Sequence, residues 1–261
     1  MTGGAIQVPV AAPIDSDSAG RGGEIAAQAV VHVICPPTAS LGTGFLHHSG
    51  GIVTAEHVVR GCQQAILILS NRSQVPATVA ATDADHDLAL LQPQRAINAT
   101  PLALSGLQSF SIGAHVSTWG FPGGYGGMSP MLSVGYLAAK DAHRTAAGNT
   151  IEQWVVNAAF NSGNSGGPLM LIESGEVIGV VSSKLAPISR EAASALSALE
   201  NQQSGFVYTA TRPDGSTFNI SEGQIVAMIL NELRRQVQLV IGYAVLLEDL
   251  KGFLNANGIN P

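Results

Sequence analysis

"NSGNSGGPL", residues 161–169, decides how the rest of the chain is read. Three glycines and two serines crowd into it, and its bend ends at Pro168. Glycine reaches backbone angles closed to other residues and lets N–H groups face a ligand. Ser165, inside this bend, is either a nucleophile beside a ready-made oxyanion hole or part of an ordinary tight turn. A hydroxyl is a weak nucleophile near neutral pH. It needs a base, usually histidine, and a third group to orient that base. The stretch supplies neither, so both must come from elsewhere.

The chain has seven histidines, at 32, 47, 48, 57, 86, 115 and 143, and all precede Ser165. "GNSGG" (163–167) also fits G-x-S-x-G, the nucleophile elbow of α/β-hydrolases, but that fold places its histidine after the serine. Pro168 and the strand-like "LMLI" also stand where the elbow's helix would begin. The other common order is His, Asp, Ser. His57 lies in "IVTAEHVVRG" (52–61), where an apolar strand runs into a short polar turn. Asp87 lies in "DADHDLALLQ" (83–92), a carboxylate directly before an apolar strand. Asp83 and Asp85 read as turn residues.

Composition narrows the field. Hydrophobic residues make up 46% and charged residues 11%, which excludes a disordered or coiled-coil chain and suggests a compact, Gly-rich, strand-dominated fold. The net charge of −6, with no basic run, argues against nucleic acid as a partner. No apolar run is long enough to span a bilayer. The start lacks the basic and apolar regions of a signal peptide, so a cytoplasmic protein is the expectation, with a trimmed secreted form left open. For Cys35 and Cys62, free thiols are expected ahead of a single bridge, which sequence alone leaves open. No metal-ligand spacing occurs, and neither metal nor cofactor is expected. His86 beside Asp87 lacks a third ligand, and adjacent His47 and His48 would face opposite sides of a strand.

Along the chain, residues 1–23 read as a flexible lead rich in Gly, Ala, Ser and Pro. Strand patterns follow at 29–35, within the hairpin-like 42–59, and at 65–69, 74–82 and 87–92. A second set covers 114–121, 131–139, 150–158, 168–172 and 176–184, with a Gly-rich loop at 120–127. Two β-sets divided near 96–112 predict two β-lobes, about 24–105 and 106–261. Within the second, 189–203 and 221–237 have helical period, and Ser221 and Gln224 have capping-box spacing. A strand over 239–245 leads into a helix over 246–258, with Leu247, Leu250, Phe253 and Leu254 on one face.

Together these segments resemble the trypsin-like serine proteases, most closely the bacterial HtrA/Deg branch. "TGFLHHSGGIVTAEHVV" resembles the branch's histidine segment, "DLALLQ" its aspartate segment, "NAAFNSGNSGGPL" its serine segment and "VIGYAVLLEDLKGFLNANG" its closing strand and helix. Asn164 stands where digestive trypsins carry Asp. The resemblance implies a mainly β fold of two six-stranded antiparallel barrels with a C-terminal helix. Residues 185–237 are longer than the branch places there and are expected as a helical insertion. No PDZ-like region follows, which leaves room for a separately encoded activator or partner.

The implied activity is a serine endopeptidase acting on protein or peptide substrates. Ser165 attacks the carbonyl, His57 moves the proton, and Asp87 orients the imidazole. Gly163 and Ser165, with Asn164, are the expected oxyanion donors. Ala159, Phe160, Asn161, Ser162, Val181, Ser182 and Ser183 are the expected substrate pocket. The alternative is a latent or inactive scaffold that keeps the fold and binds a protein partner.

Overall fold

The computed structural model describes residues 16–261 apart from 124, 126, 128, 146, 183–189, 202–204, 213 and 237–240. Helix α1 (Ser16–Ala29) leads into β1 (Val30–Cys35), β2 (Ser40–Leu46) and β3 (Ile52–Thr54). A one-turn helix, α2 (Glu56–Val59), then precedes β4 (Gln64–Ile68), β5 (Gln74–Asp83) and β6 (Leu88–Pro93). These six strands close into a barrel in the order β1-β2-β3-β6-β5-β4, with antiparallel neighbours. Period-two patterning explains the closure. In β5, Val75 and Ala77 are buried between exposed Gln74, Pro76 and Thr78, so one face of the strand lines the barrel.

The second barrel uses β7 (His115–Gly120), β8 (Met131–Arg144), β9 (Thr150–Asn157), β10 (Pro168–Leu171) and β11 (Val177–Val181). Next come α3 (Arg190–Glu200), the hairpin β12 (Val207–Thr211) and β13 (Thr217–Ser221), and α4 (Glu222–Gln236). β14 (Gly242–Leu246) then closes the barrel in the order β10-β11-β14-β9-β8-β7, and α5 (Leu247–Ala256) ends the fold. Leu247, Leu250, Phe253 and Leu254 are buried on the expected face of α5. Leu250, Phe253 and Leu254 belong to a buried cluster that holds first-barrel residues together with Met170, Val177, Val180 and Val245 of the second. Two closed six-stranded antiparallel barrels and a C-terminal helix are the architecture the family resemblance implies. No helix among the described residues is long and apolar enough to cross a membrane.

Three expectations change. The lead expected to be flexible is helical from Ser16, with residues 1–15 outside the described residues. Ala26 and Ala29, 1% and 0% exposed, seat the last turns of α1 in the first core. The insertion holds the two expected helices, but a hairpin stands between them. Its strands pair from Val207↔Ser221 to Thr211↔Thr217. The predicted capping box does open α4: Ser221 N–H donates to Gln224 Oε1 (3.0 Å), and Gln224 N–H donates to Ser221 Oγ (3.3 Å). The expected free thiols are instead joined as Cys35–Cys62, because β1 and the chain after α2 bring their Cα atoms to 5.9 Å.

Candidate active site

β3 and β6 pair antiparallel with Thr54 opposite Ala89. His57 follows Thr54 by three residues and Asp87 precedes Ala89 by two, so both extend from the same end of the ladder. Asp87 Oδ1 accepts the backbone N–H of His57 at 3.0 Å. His57 Nδ1 lies 2.9 and 2.8 Å from the two carboxylate oxygens. With its proton on Nδ1 the imidazole donates to Asp87, and Nε2 is left as the basic nitrogen. Asp87 itself sits at φ +56°, in the left-handed region that Asp tolerates better than most residues. Burial pushes its carboxyl up, but the hydrogen bond and charge of His57 and the hydroxyl of Ser182 outweigh this and hold it below the ordinary carboxylate range.

That hydroxyl arrives from the second barrel. Ser182 follows β11 and donates 2.6 Å to Asp87 Oδ2. Ser182 was expected among the pocket residues; its hydroxyl is given to the carboxylate. Its partner lies 95 residues away in sequence, and no local motif announces the contact.

The turn holding Ser165 is docked on the first barrel. Ser165 is 2% exposed, and its carbonyl accepts Thr43 N–H at 2.8 Å. Gly166 has φ +84°, and a Cβ there would collide with the Thr43 carbonyl and the Thr54 hydroxyl and lie 2.7 Å from Ala55 N. Only glycine fits this approach. The serine turn therefore presses on the chain two residues before His57.

Gly163 has φ +96°, and a Cβ would overlap the carbonyl of Phe121. Asn164 was expected to help hold an oxyanion, but its N–H donates to Asn161 C=O at 3.0 Å within the turn. Its side chain is 1% exposed, and a neutral amide avoids the cost of an ion buried without a counter-ion.

Of the other expected pocket residues, Ala159 and Asn161 are half-buried and Ser162 is exposed. Phe160 is buried in the second core, its ring occupying the space where Gly242 would carry a Cβ. Val181 is fully buried and hydrogen-bonded to Gly166 and Gly167. Ser183 lies outside the described residues.

The family model for the trypsin-like peptidase domain matches residues 42–180, more than half of the chain. The chain belongs to the trypsin-like peptidase family. A probable periplasmic serine endoprotease DegP-like of Pseudomonas putida is 34% identical over 143 residues, 54% of this chain and 28% of that protein. A probable periplasmic serine protease do/HhoA-like of Haemophilus influenzae is 27% identical over 170 residues, 64% of this chain and 36% of that protein. The chain thus spans about a third of the length of these curated relatives.

Solved structures show the same fold. The active form of Rv3671c protease from M. tuberculosis superposes with a TM-score of 0.60 at 20% identity, covering 98% of this chain and 96% of that one. The HtrA-type protease AlgW with a tripeptide gives 0.61 at 20% identity, over 92% and 64%. The curated relatives also overturn the cytoplasmic expectation, since the two named above are described as probable periplasmic proteases. The Cys35–Cys62 bridge agrees with the correction, because structural disulfides persist in oxidising compartments.

Proposed function

We propose that this trypsin-like peptidase is a serine endopeptidase of an oxidising compartment outside the cytoplasm, acting on protein or peptide substrates. Ser165 is the nucleophile, His57 the general base and acid, and Asp87 the orienting carboxylate. The observation that carries this reading is the bidentate contact of His57 Nδ1 with Asp87 at 2.9 and 2.8 Å. It fixes the tautomer that leaves Nε2 able to take a hydroxyl proton. Ser165 Oγ then bonds to the substrate carbonyl carbon, its proton passes to Nε2, and the carbonyl π electrons move onto oxygen. The N–H groups of Gly163 and Ser165 are the donors for that oxyanion. Collapse expels the amine, which takes the proton from His57, and water repeats the sequence on the acyl-enzyme.

A fluorophosphonate probe and labelled casein test this. The isolated chain should become labelled on Ser165 and degrade casein, and Ser165→Ala should abolish both while keeping the wild-type unfolding midpoint. Casein cleavage by Ser165→Ala at the wild-type rate would sink the assignment. Labelling of the isolated chain also means that no separate activator is needed to assemble the site.

A further inference from the structure

Thr43 lies in β2 with no exposed surface. Its hydroxyl donates 2.6 Å to the carbonyl of Gly163 and accepts the N–H of Phe121 at 3.1 Å. Its backbone N–H donates 2.8 Å to Ser165 C=O, and its C=O accepts the Thr54 hydroxyl at 2.6 Å. Every polar group of this residue is engaged, and three of the bonds cross to the second barrel or the loop leaving it.

The turn that would present the oxyanion donors is fixed one peptide plane at a time. In the Ser162–Gly163 peptide, Ser162 C=O accepts Gly123 N–H at 2.5 Å. The peptide is trans, so the Gly163 N–H points away from Gly123. The Gly163–Asn164 peptide is held at both ends, its C=O by the Thr43 hydroxyl and its N–H by Asn161 C=O. The Phe121 N–H that Thr43 accepts lies two residues before Gly123, so the same hydroxyl steadies the loop that orients the first plane.

We propose that Thr43 is a positioning residue of the reaction: from the first barrel, its hydroxyl sets the peptide planes of the Gly163–Ser165 turn. The proposal rests on the serine-peptidase reading above. A hydroxyl is required, because only a group that both donates and accepts satisfies a buried carbonyl and a buried N–H together. Valine has the shape of threonine and can do neither.

Thr43→Val and Thr43→Ser are to be compared with wild type in p-nitrophenyl butyrate hydrolysis, a small ester that makes little use of side-chain subsites. Unfolding midpoints and hydrogen exchange at the Asn164 amide are measured beside it. Thr43→Val should lower kcat about 10–100-fold, approaching the loss of one oxyanion donor, with KM changed less than about twofold. Asn164 exchange should quicken roughly tenfold as the turn loosens. Thr43→Ser should return both quantities to near wild type. Unchanged kcat and exchange in Thr43→Val overturn the proposal, and so does a loss of activity that Thr43→Ser fails to rescue. If wild type neither hydrolyses the ester nor takes the fluorophosphonate, the peptidase reading fails. The role of Thr43 in a reaction fails with it, while the exchange comparison still tells whether the hydroxyl sets the turn: quickening in Thr43→Val means that it does, and no change means that it does not.

Discussion

Asp87 takes hydrogen bonds from His57 N–H, from His57 Nδ1 and from the Ser182 hydroxyl while holding a left-handed backbone. Its depressed pKa means that its stabilising contribution is in full force above the ordinary carboxylate value and fades as pH falls through the folded one. Ser182→Ala removes one donor and should lower kcat roughly tenfold, the worth of one hydrogen bond to a charged group. Ester hydrolysis at saturation reads this, and an unchanged kcat would make the Ser182 contact incidental. His47 acts in the same direction, through a group buried in its neutral form. Burial, and then the charge of His48, lower its pKa to about 4. An unfolded chain takes up that proton near pH 6.5, so stability should decline as pH drops from about 6.5 to about 4 and lose no more to this group below that. His47→Gln should flatten the decline of the urea midpoint across this window. Parallel curves for the two proteins would refute it.

At the scale of elements, the disulfide ties the end of β1 to the residue five beyond His57. It closes a loop with a sequence separation of 27, for which chain-entropy reasoning gives about 3–4 kcal/mol. Cys35→Ser with Cys62→Ser should lose about that much in urea unfolding at pH 7, and a loss below about 1 kcal/mol would contradict it. The bridge was not legible beforehand, since two cysteines become partners only once the first barrel folds α2 back on β1. The pairing of His57 with Asp87 was legible because each sits in a distinctive local segment, and Ser165 became a candidate because all the histidines precede it, against the order of the α/β-hydrolase elbow. Thr43 and Ser182 were not, because their roles arise from contacts across 120 and 95 residues. The hairpin β12–β13 did have a local signal in the sequence, Pro-Asp-Gly at 213–215 between β-branched and aromatic residues, but the helical period on both sides dominated. The rings of His47 and His48 lie 4.1 Å apart rather than on opposite faces, because β2 ends at Leu46 and strand alternation stops there.

Across the whole molecule, the connector between the barrels is fastened to both. Leu102 N–H donates to Leu46 C=O, while Ala103 and Ser105 bond to Val177. Lys251 of α5 reaches the Ser105 carbonyl at 2.6 Å. The loop before Asp87 is held from the other side: Asn149 donates 2.6 Å to Asp85, and His86 lies between Asp83 at 2.8 Å and Asp249 at 3.7 Å. Two-lobed patterning in the sequence foretold two barrels, but not how they are locked.

The lock runs in both directions. Thr43 reaches from the first barrel to the carbonyl of Gly163, and Ser182 reaches back to the carboxylate of Asp87. A slip of one half over the other by a single bond length would strain the turn of Ser165 and the carboxylate that holds His57 at the same moment. Under the proposed peptidase chemistry, losing either contact alone weakens catalysis in part, and whatever shears the halves apart loses both together.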